Sequence, residues 1–169
     1  MNSKNGFLGI IILLLAANLI ATVWSRLGSD NDAEAITGMA LPLPKIISPE
    51  LKEELLEEFI DDFNDGDFEN IYAMLGPAAQ TKVSEEELEL KFEKLAELFD
   101  SIEAGAFSHS LLAGMQGNTR IYQLYYDLRL SEDSEFGERG ILAVTLAVEG
   151  EDYQIYDLSL NAGAYANAS

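Results

Sequence analysis

The spacing of apolar residues changes once along this chain, and that change constrains the fold more than any other feature. Up to about Asp100 the apolar residues recur every three or four positions, which is the period of a helix buried on one side. From Ala106 onward they alternate with polar residues, which is the period of a half-buried strand. Helices followed by a run of strands predict an α+β domain in which helices cover one face of a sheet.

The first helix is predicted to begin after Ser48 and to end at Gly66. Ser48 is a typical N-cap, and Pro49 suits the first helical position. Gly66 can take the left-handed conformation that closes a helix, and Asp67 can then cap a short second helix. The acidic residues lie on one side of the first helix. Its apolar stripe consists of Leu51, Leu55, Leu56, Phe59, Ile60 and Phe63.

A further helix is predicted from the capping-box spacing of Ser84 and Glu87, and it should end near Asp100. Turn residues separate the alternating segments that follow, and the acidic loop from Ser131 to Gly137 is expected to be mobile. The predicted strands run from Ala106 to Met115, Thr119 to Leu130, Glu138 to Val148 and Asp152 to Leu160. They should form a curved, antiparallel, four-stranded sheet.

An uncharged apolar segment precedes this domain. As a helix, the segment from Phe7 to Trp24 would be roughly 27 Å long, which matches the hydrocarbon core of a bilayer. Lys4 precedes it and acidic residues follow Arg26, an arrangement that favours a cytosolic N-terminus. We therefore predict a cytosolic segment at 1–6, a single transmembrane signal anchor at 7–26, a linker at 27–47, the folded domain at 48–160 and a flexible tail at 161–169.

Two alternatives apply to the apolar segment. Ala33-Glu34-Ala35 resembles a signal-peptidase site, although it lies well beyond an apolar run that is longer than a usual signal-peptide core. Cleavage therefore stays open as the alternative to an anchor. The start of the segment, Gly6-Phe7, also resembles a type IV pilin. Pilins, however, carry a glutamate where this chain has Ile11, and the proline-containing linker would interrupt the long pilin helix, so this alternative is rejected.

Charge and cysteine content exclude several classes of function. The chain has 10 Lys and Arg against 30 Asp and Glu, a formal net charge of -20, which argues against nucleic acid as a partner. It contains no cysteine, so disulfides, thiolate metal sites, a cysteine nucleophile and a lipoprotein attachment site are all excluded.

The order of the predicted elements and several short motifs resemble the NTF2-like superfamily, whose fold is a cystatin-like α+β cone. The motifs are Phe59, Phe63, Gly66-Asp67-Phe68, Ile71-Tyr72 and Leu75-Gly76-Pro77. The resemblance covers about residues 48–160 and is strongest to small bacterial extracytoplasmic members of unknown function. It implies a cone with a cavity between helices and sheet. Enzymes of the superfamily, such as ketosteroid isomerase, place acidic, histidine, tyrosine or arginine side chains inside the cone, and this chain offers no clear counterpart.

The candidate lining of the implied cavity is Phe59, Phe63, Tyr72, Tyr126 and Tyr156. The tyrosine hydroxyls could bind a ligand by hydrogen bonds, or the rings could simply belong to the core. No catalytic residue, cofactor or metal site is predicted.

His109 is the only histidine in the chain. It could act as a general base if Asp127 or Asp157 paired with it. We favour a surface or strand-edge histidine between Ser108 and Ser110, because nothing in the sequence positions a partner for it.

The acidic corner at residues 61–67 has the composition of a calcium loop but the wrong spacing. With Gly66 at the sixth position of such a loop, Phe63 and Tyr72 stand where oxygen ligands are required. We therefore interpret the corner as a solvated helix end.

Two functions are consistent with these features. The leading hypothesis is a membrane-tethered, noncatalytic NTF2-like module, periplasmic and anchored in the bacterial inner membrane, that binds a protein partner or a small apolar ligand. It could form a homodimer through the outer face of the sheet. The alternative is a small enzyme that uses the cone cavity for acid/base chemistry on a lipid-like substrate. A carboxylate and a His or Tyr converging on one pocket would favour the enzyme.

Overall fold

The computed structural model describes residues 43–162. Its helices are α1 (Pro49–Asp65), α2 (Phe68–Met74), α3 (Pro77–Gln80) and α4 (Glu85–Phe99), and its strands are β1 (Ile102–Gln116), β2 (Thr119–Leu130), β3 (Arg139–Glu149) and β4 (Asp152–Ala162). The strands form one antiparallel sheet in the order of the chain. The predicted α+β class, with helices packed on a four-stranded antiparallel sheet, is confirmed.

Most of the N-terminal predictions lie outside the described residues. This applies to the segment at 1–6, the anchor at 7–26 and the greater part of the linker at 27–47. Within residues 43–162, no helix is both long enough and apolar enough to cross a bilayer. At the other end β4 continues to Ala162, two residues into the predicted tail, and the rest of that tail is also outside the described range.

The predicted helix caps are present. The Ser48 hydroxyl accepts a hydrogen bond from the Leu51 N–H at 3.2 Å, and Gly66 closes α1 with φ at 72°. Ser84 and Glu87 form both hydrogen bonds of the predicted capping box at the start of α4, at 3.2 and 3.1 Å. Local sequence therefore determines where α1 and α4 begin.

The core lies between the helices and one face of the sheet. Phe59 and Phe63 of α1 pack with Phe68 and Phe92 in an aromatic cluster whose ring centroids are 5.9 to 6.3 Å apart. The alternating residues of the two central strands supply the opposite side of the core. They are Tyr122, Leu124, Tyr126, Leu128 and Leu130 on β2 and Leu142, Val144, Leu146 and Val148 on β3.

Two local features fix α1 on the sheet. The Asn64 side chain donates to the Ile102 carbonyl at 2.9 Å and accepts from the Ile102 N–H at 2.8 Å, which joins the end of α1 to the start of β1. At Gly105 a Cβ atom would lie 2.8 Å from the Leu128 side chain and 3.0 Å from the Leu56 side chain. The glycine therefore allows α1 to lie close to β1.

The loop at residues 131–137 has contacts that its acidic composition did not predict. The Ser131 N–H donates to the Ser101 carbonyl at 2.9 Å, and the Glu135 N–H donates to the Leu98 carbonyl at 3.0 Å. The Phe136 ring meets the Phe99 ring edge-on at 5.9 Å. These contacts tie the loop to the end of α4 and the start of β1, and β1 itself begins four residues earlier than predicted, at Ile102.

Candidate functional site

The interior between helices and sheet is packed with apolar side chains. Among residues 43–162, the buried polar side chains are those of Ser131 and Thr145, so this part of the chain buries no histidine or carboxylate as completely.

The five predicted lining residues do not converge on one cavity. Phe59, Phe63 and Tyr126 are core side chains with 0, 2 and 0 % exposure. Tyr72 on α2 and Tyr156 on β4 are only half-buried. The ammonium group of Lys82 donates to the Tyr156 hydroxyl and lies 4.2 Å from the centre of its ring, which places Tyr156 at the surface. Whether any of the five binds a ligand stays a prediction.

The hydroxyl of Tyr126 is a polar atom within an otherwise apolar interior. It is buried and has no hydrogen-bond partner, and the Tyr126 ring meets the Phe107 ring edge-on at 5.7 Å. Burial raises the pKa of this phenol well above its ordinary value, so it is neutral across the physiological range. A neutral hydroxyl of this kind can donate one hydrogen bond.

His109 lies on the other side of the sheet from the core. It is exposed, its ring stacks on Tyr125 at 4.7 Å with 6° between the planes, and its Nδ1 is 3.3 Å from the Ser108 hydroxyl. Asp127 is an exposed residue of the neighbouring strand and is in register with Ala106 rather than with His109. The geometry favours the surface histidine over the general base.

Asp157 lies next to a bulge in β4, where the pairing with β3 shifts between Thr145 and Leu146. Burial raises the pKa of the Asp157 carboxyl, while the positive charge of Lys91 and the Leu158 N–H act in the opposite direction. This half-buried carboxylate is thus disfavoured in its charged form.

A shallow surface depression of about 500 Å³ follows the acidic side of α1. The burial of Glu58 and the charges of Asp62 and Glu54 raise the pKa of Glu58. Within the described residues, no three carboxylates or histidines are arranged to hold a metal ion. The depression is lined by Glu50, Glu53, Glu54, Glu57, Glu58 and Asp61.

The face of the sheet opposite the core is formed by the outward residues of the strands. Tyr125 donates a hydrogen bond to the Gln123 side chain at 3.0 Å along this face, and Thr145 is only 8 % exposed. Leu111 is 36 % exposed. We refer to this surface as the open sheet face; its centre consists of Leu111, Gln123, Tyr125, Ile141, Ala143, Thr145 and Ala147.

Comparisons with known proteins add a distant structural similarity. No family model matches the sequence, and the search of the curated proteins gave no match. Among solved structures, Aln2 from a Streptomyces species is similar over 72% of this chain and 94% of its own chain, with 17% identity and a TM-score of 0.43. The similarity concerns the fold alone and assigns no activity.

The residues of the open sheet face were not predicted from the sequence. The information was present in β3, where Ile141, Ala143 and Ala147 occupy outward positions that a solvated strand fills with polar residues. The apolar residues on the inward side of β3 form the stronger sequence pattern. The low polarity of the outward residues is a weaker pattern and is easily overlooked.

Replacing Tyr126 with phenylalanine is expected to stabilise the protein. The change removes a buried hydroxyl that lacks a partner, so the free energy of unfolding should rise by about 1 kcal/mol. For a domain of this size the melting temperature should rise by about 3–5 °C. Thermal unfolding followed by circular dichroism measures this, with Tyr122→Phe on the same face of β2 as the matched control. A lower melting temperature for Tyr126→Phe would indicate a hydrogen bond that the hydroxyl makes.

Protonation of Asp157 in mild acid is expected to stabilise the fold. Because the pKa of Asp157 is raised, its charged form destabilises the folded state at pH values above that pKa. This destabilisation decreases as the pH falls through the raised pKa, and it is absent below the ordinary value of 3.8. Asp157→Asn should therefore melt at a higher temperature than the wild type at neutral pH and gain less on acidification. Melting curves at several pH values check this, with exposed Asp127→Asn as control; equal pH dependence in all three proteins would contradict it.

Proposed function

We propose that this chain is a membrane-tethered, noncatalytic module with an NTF2-like fold that binds a protein partner through its open sheet face. The observation that carries the proposal is the run of uncharged outward residues on β3, in a chain with a net charge of -20. The run consists of Ile141, Ala143, Thr145 and Ala147, with Asp127 of β2 and Asp157 of β4 in register beside it. A row of weakly polar side chains on a sheet face, in a surface otherwise rich in carboxylates, is a typical site of protein association.

The NTF2-like fold, the membrane tether and the periplasmic position are proposed from the sequence and the topology together. Helices that precede a four-stranded meander and pack on one of its faces support the NTF2-like assignment. The apolar segment at 7–26 supports a tether in the bacterial inner membrane, and the charges that flank it support a periplasmic position for the domain.

Two observations favour a protein partner over the other candidates. A small apolar ligand inside the domain would have to displace Phe59, Phe63 or Tyr126, whose rings are already packed against neighbours. The alternative enzyme would need a carboxylate beside Tyr126 or His109, but His109 faces the open side of the sheet and Tyr126 faces the core.

The partner is sought by affinity purification of the full chain from bacterial membranes after chemical cross-linking. Ala143→Arg places a charge at the centre of the open sheet face, and Lys94→Glu changes an exposed charge on α4 as the control. Proteins that copurify with the wild type and with Lys94→Glu, including a second copy of the chain, should be lost with Ala143→Arg. Recovery of the same proteins with all three variants would contradict the proposal.

The predicted topology is checked in the same cells. Protease added to spheroplasts should remove the domain while leaving cytosolic proteins intact. A domain that is digested only after the membrane is lysed would place it in the cytosol and overturn this part of the proposal.

A further inference from the structure

A small pocket lies at the end of the sheet where the chain enters the domain. Its volume is about 170 Å³, and the β1–β2 and β3–β4 turns both contribute to it. The described part of the chain begins one residue before Pro44, which forms one wall, so the predicted linker reaches the domain at this pocket. The lining residues are Pro44, Asn118, Arg120, Val148 and Gly150.

Arg120 and Asn118 supply the polar groups of the pocket. Arg120 is exposed near the start of β2 and is in register with the buried Val148, so it lies on the helix side of the sheet rather than on the open sheet face. Among residues 43–162, Arg120 forms no ion pair, and the Asn118 amide forms no hydrogen bond. Both side chains can therefore donate N–H groups to a ligand.

Carboxylates surround this pocket in the chain. Gly150 lies between Glu149 and Glu151 in the β3–β4 turn, and Asp152 is the first residue of β4. All three acidic residues are exposed. The pocket thus places one positive group beside several negative ones, in a chain with a net charge of -20. A simple anion would be repelled by these surroundings, whereas a ligand that carries both charges matches them.

We propose that this pocket binds the phosphoethanolamine headgroup of a lipid in the membrane to which the chain is tethered. The Arg120 guanidinium binds two phosphate oxygens, and the Asn118 amide donates to one of them. The ammonium group of the lipid then lies toward Glu149 and Glu151. This inference rests on the proposed function, because it requires the tether, but it concerns a different surface from the open sheet face.

The size and the position of the pocket support a headgroup as the ligand. A water molecule occupies about 30 Å³, so the pocket has room for about five or six groups of that size, which is enough for a phosphate group. Pro44 and Val148 offer apolar surface to the glycerol carbons. Residues 27–42 separate the domain from the predicted anchor, and a chain of that length reaches at most about 60 Å, so the domain stays near the bilayer.

The two opposite charges predict an order of preference among lipids. Phosphatidylethanolamine should bind best, because its primary ammonium can donate hydrogen bonds to the carboxylates. Phosphatidylcholine should bind less well, since its methylated ammonium has no N–H to donate. Phosphatidylglycerol has a net negative charge and should bind least well. An ordinary basic membrane-binding patch would instead prefer the anionic lipid.

Titration with the deacylated headgroup tests the pocket itself. The full chain in a nonionic detergent is titrated by calorimetry with glycerophosphoethanolamine and, separately, with inorganic phosphate, which should bind more weakly. Arg120→Gln should weaken the binding of glycerophosphoethanolamine about tenfold or more, because a charge-assisted pair is lost. The variant should fold normally, since Arg120 is exposed. Arg139→Gln makes the same change at the opposite end of the sheet and should bind as the wild type does.

Spin labelling tests whether the ligand is a membrane lipid. The chain has no cysteine, so Gln116→Cys places a single nitroxide beside the pocket, and Lys94→Cys places one on α4 as the control. The labelled full chain is inserted into nanodiscs of phosphatidylcholine, alone or mixed equally with phosphatidylethanolamine or phosphatidylglycerol. Phosphatidylethanolamine should shield the label at residue 116 from a water-soluble nickel chelate, and Arg120→Gln should abolish this shielding. The label at residue 94 should respond to neither change.

Three results would overturn the inference. Equal binding of glycerophosphoethanolamine by the wild type and Arg120→Gln would exclude the pocket. Stronger shielding by phosphatidylglycerol would exclude the requirement for both charges. Binding that depends on Arg120, with equal exposure of residue 116 in all nanodiscs, would exclude the lipid and identify a free small molecule as the ligand.

The proposed function fails in different experiments. Arg120→Gln should still recover the protein partner from membranes, because Arg120 lies away from the open sheet face. Loss of partner binding in Ala143→Arg therefore supports the proposed function whether or not the pocket binds a headgroup. A cytosolic domain in the spheroplast experiment would overturn the tether, and with it the membrane lipid as ligand.

Discussion

Replacing Phe92 with alanine is expected to produce the largest loss of stability of any single change considered, about 3–5 kcal/mol. Phe92 is 1 % exposed, and its ring contacts Phe59, Phe63 and Phe68 at centroid distances of 5.9, 6.3 and 6.2 Å. These rings come from α1, α2 and α4, so the cavity would open where all three helices meet. Because the packing there is dense, collapse around the cavity should be incomplete.

Leu90 supplies the matched control for this experiment, because it lies on the same helix and is 51 % exposed. Leu90→Ala should change the free energy of unfolding by less than about 0.5 kcal/mol. Urea denaturation of the full chain in detergent measures both variants. If Phe92→Ala unfolded at nearly the same urea concentration as Leu90→Ala, the interior would be loose enough to admit a ligand, and the case for a packed core would fail.

A charge at the centre of the open sheet face is expected to abolish binding of the proposed protein partner. In Ala143→Arg, a guanidinium group would be desolvated in the middle of the interface, so the dissociation constant of the partner should increase by about a hundredfold or more. The melting temperature of the domain should change little, because residue 143 points away from the core. Recovery of the cross-linked partner from bacterial membranes and thermal unfolding of the purified variant check the two effects.

A second variant tests the same surface independently if Ala143→Arg does not fold. Leu111 lies on the edge strand β1 and is 36 % exposed, so Leu111→Lys should fold normally. It also introduces a charge into the open sheet face and should weaken partner binding. Unchanged recovery of the partner with both folded variants would exclude this face as the contact.

The sequence predicted the helices well because their ends are specified locally. Ser48, Gly66 and the Ser84 capping box each act within four residues of themselves, so no tertiary information was needed. The half-buried character of β2 and β3 was also predicted, since a strict alternation of apolar residues leaves one choice of buried face.

Other features depend on contacts between distant residues and could not be predicted in this way. The early start of β1 depends on Asn64, which pairs with Ile102 across 38 positions. The bulge at Tyr156 and Asp157 is set by pairing with β3, and it helps to place Tyr156 beside Lys82 rather than inside the domain. Of the candidate lining, Phe59, Phe63 and Tyr126 are core side chains, and Tyr72 and Tyr156 are half-buried. Ligand binding by these residues stays a prediction.

Hydroxyl-radical footprinting of the full chain in bacterial membranes tests most directly whether the protein works through its open sheet face. Leu111 and Phe107 both lie on β1 and are both 36 % exposed, but Leu111 belongs to the open sheet face while Phe107 contacts Tyr126 on the helix side. Comparing membranes with dilute detergent, we predict that Leu111 is oxidised more slowly in membranes and that Phe107 is oxidised equally in both. Equal oxidation of Leu111 in the two conditions, or protection of Phe107 instead, would contradict the account.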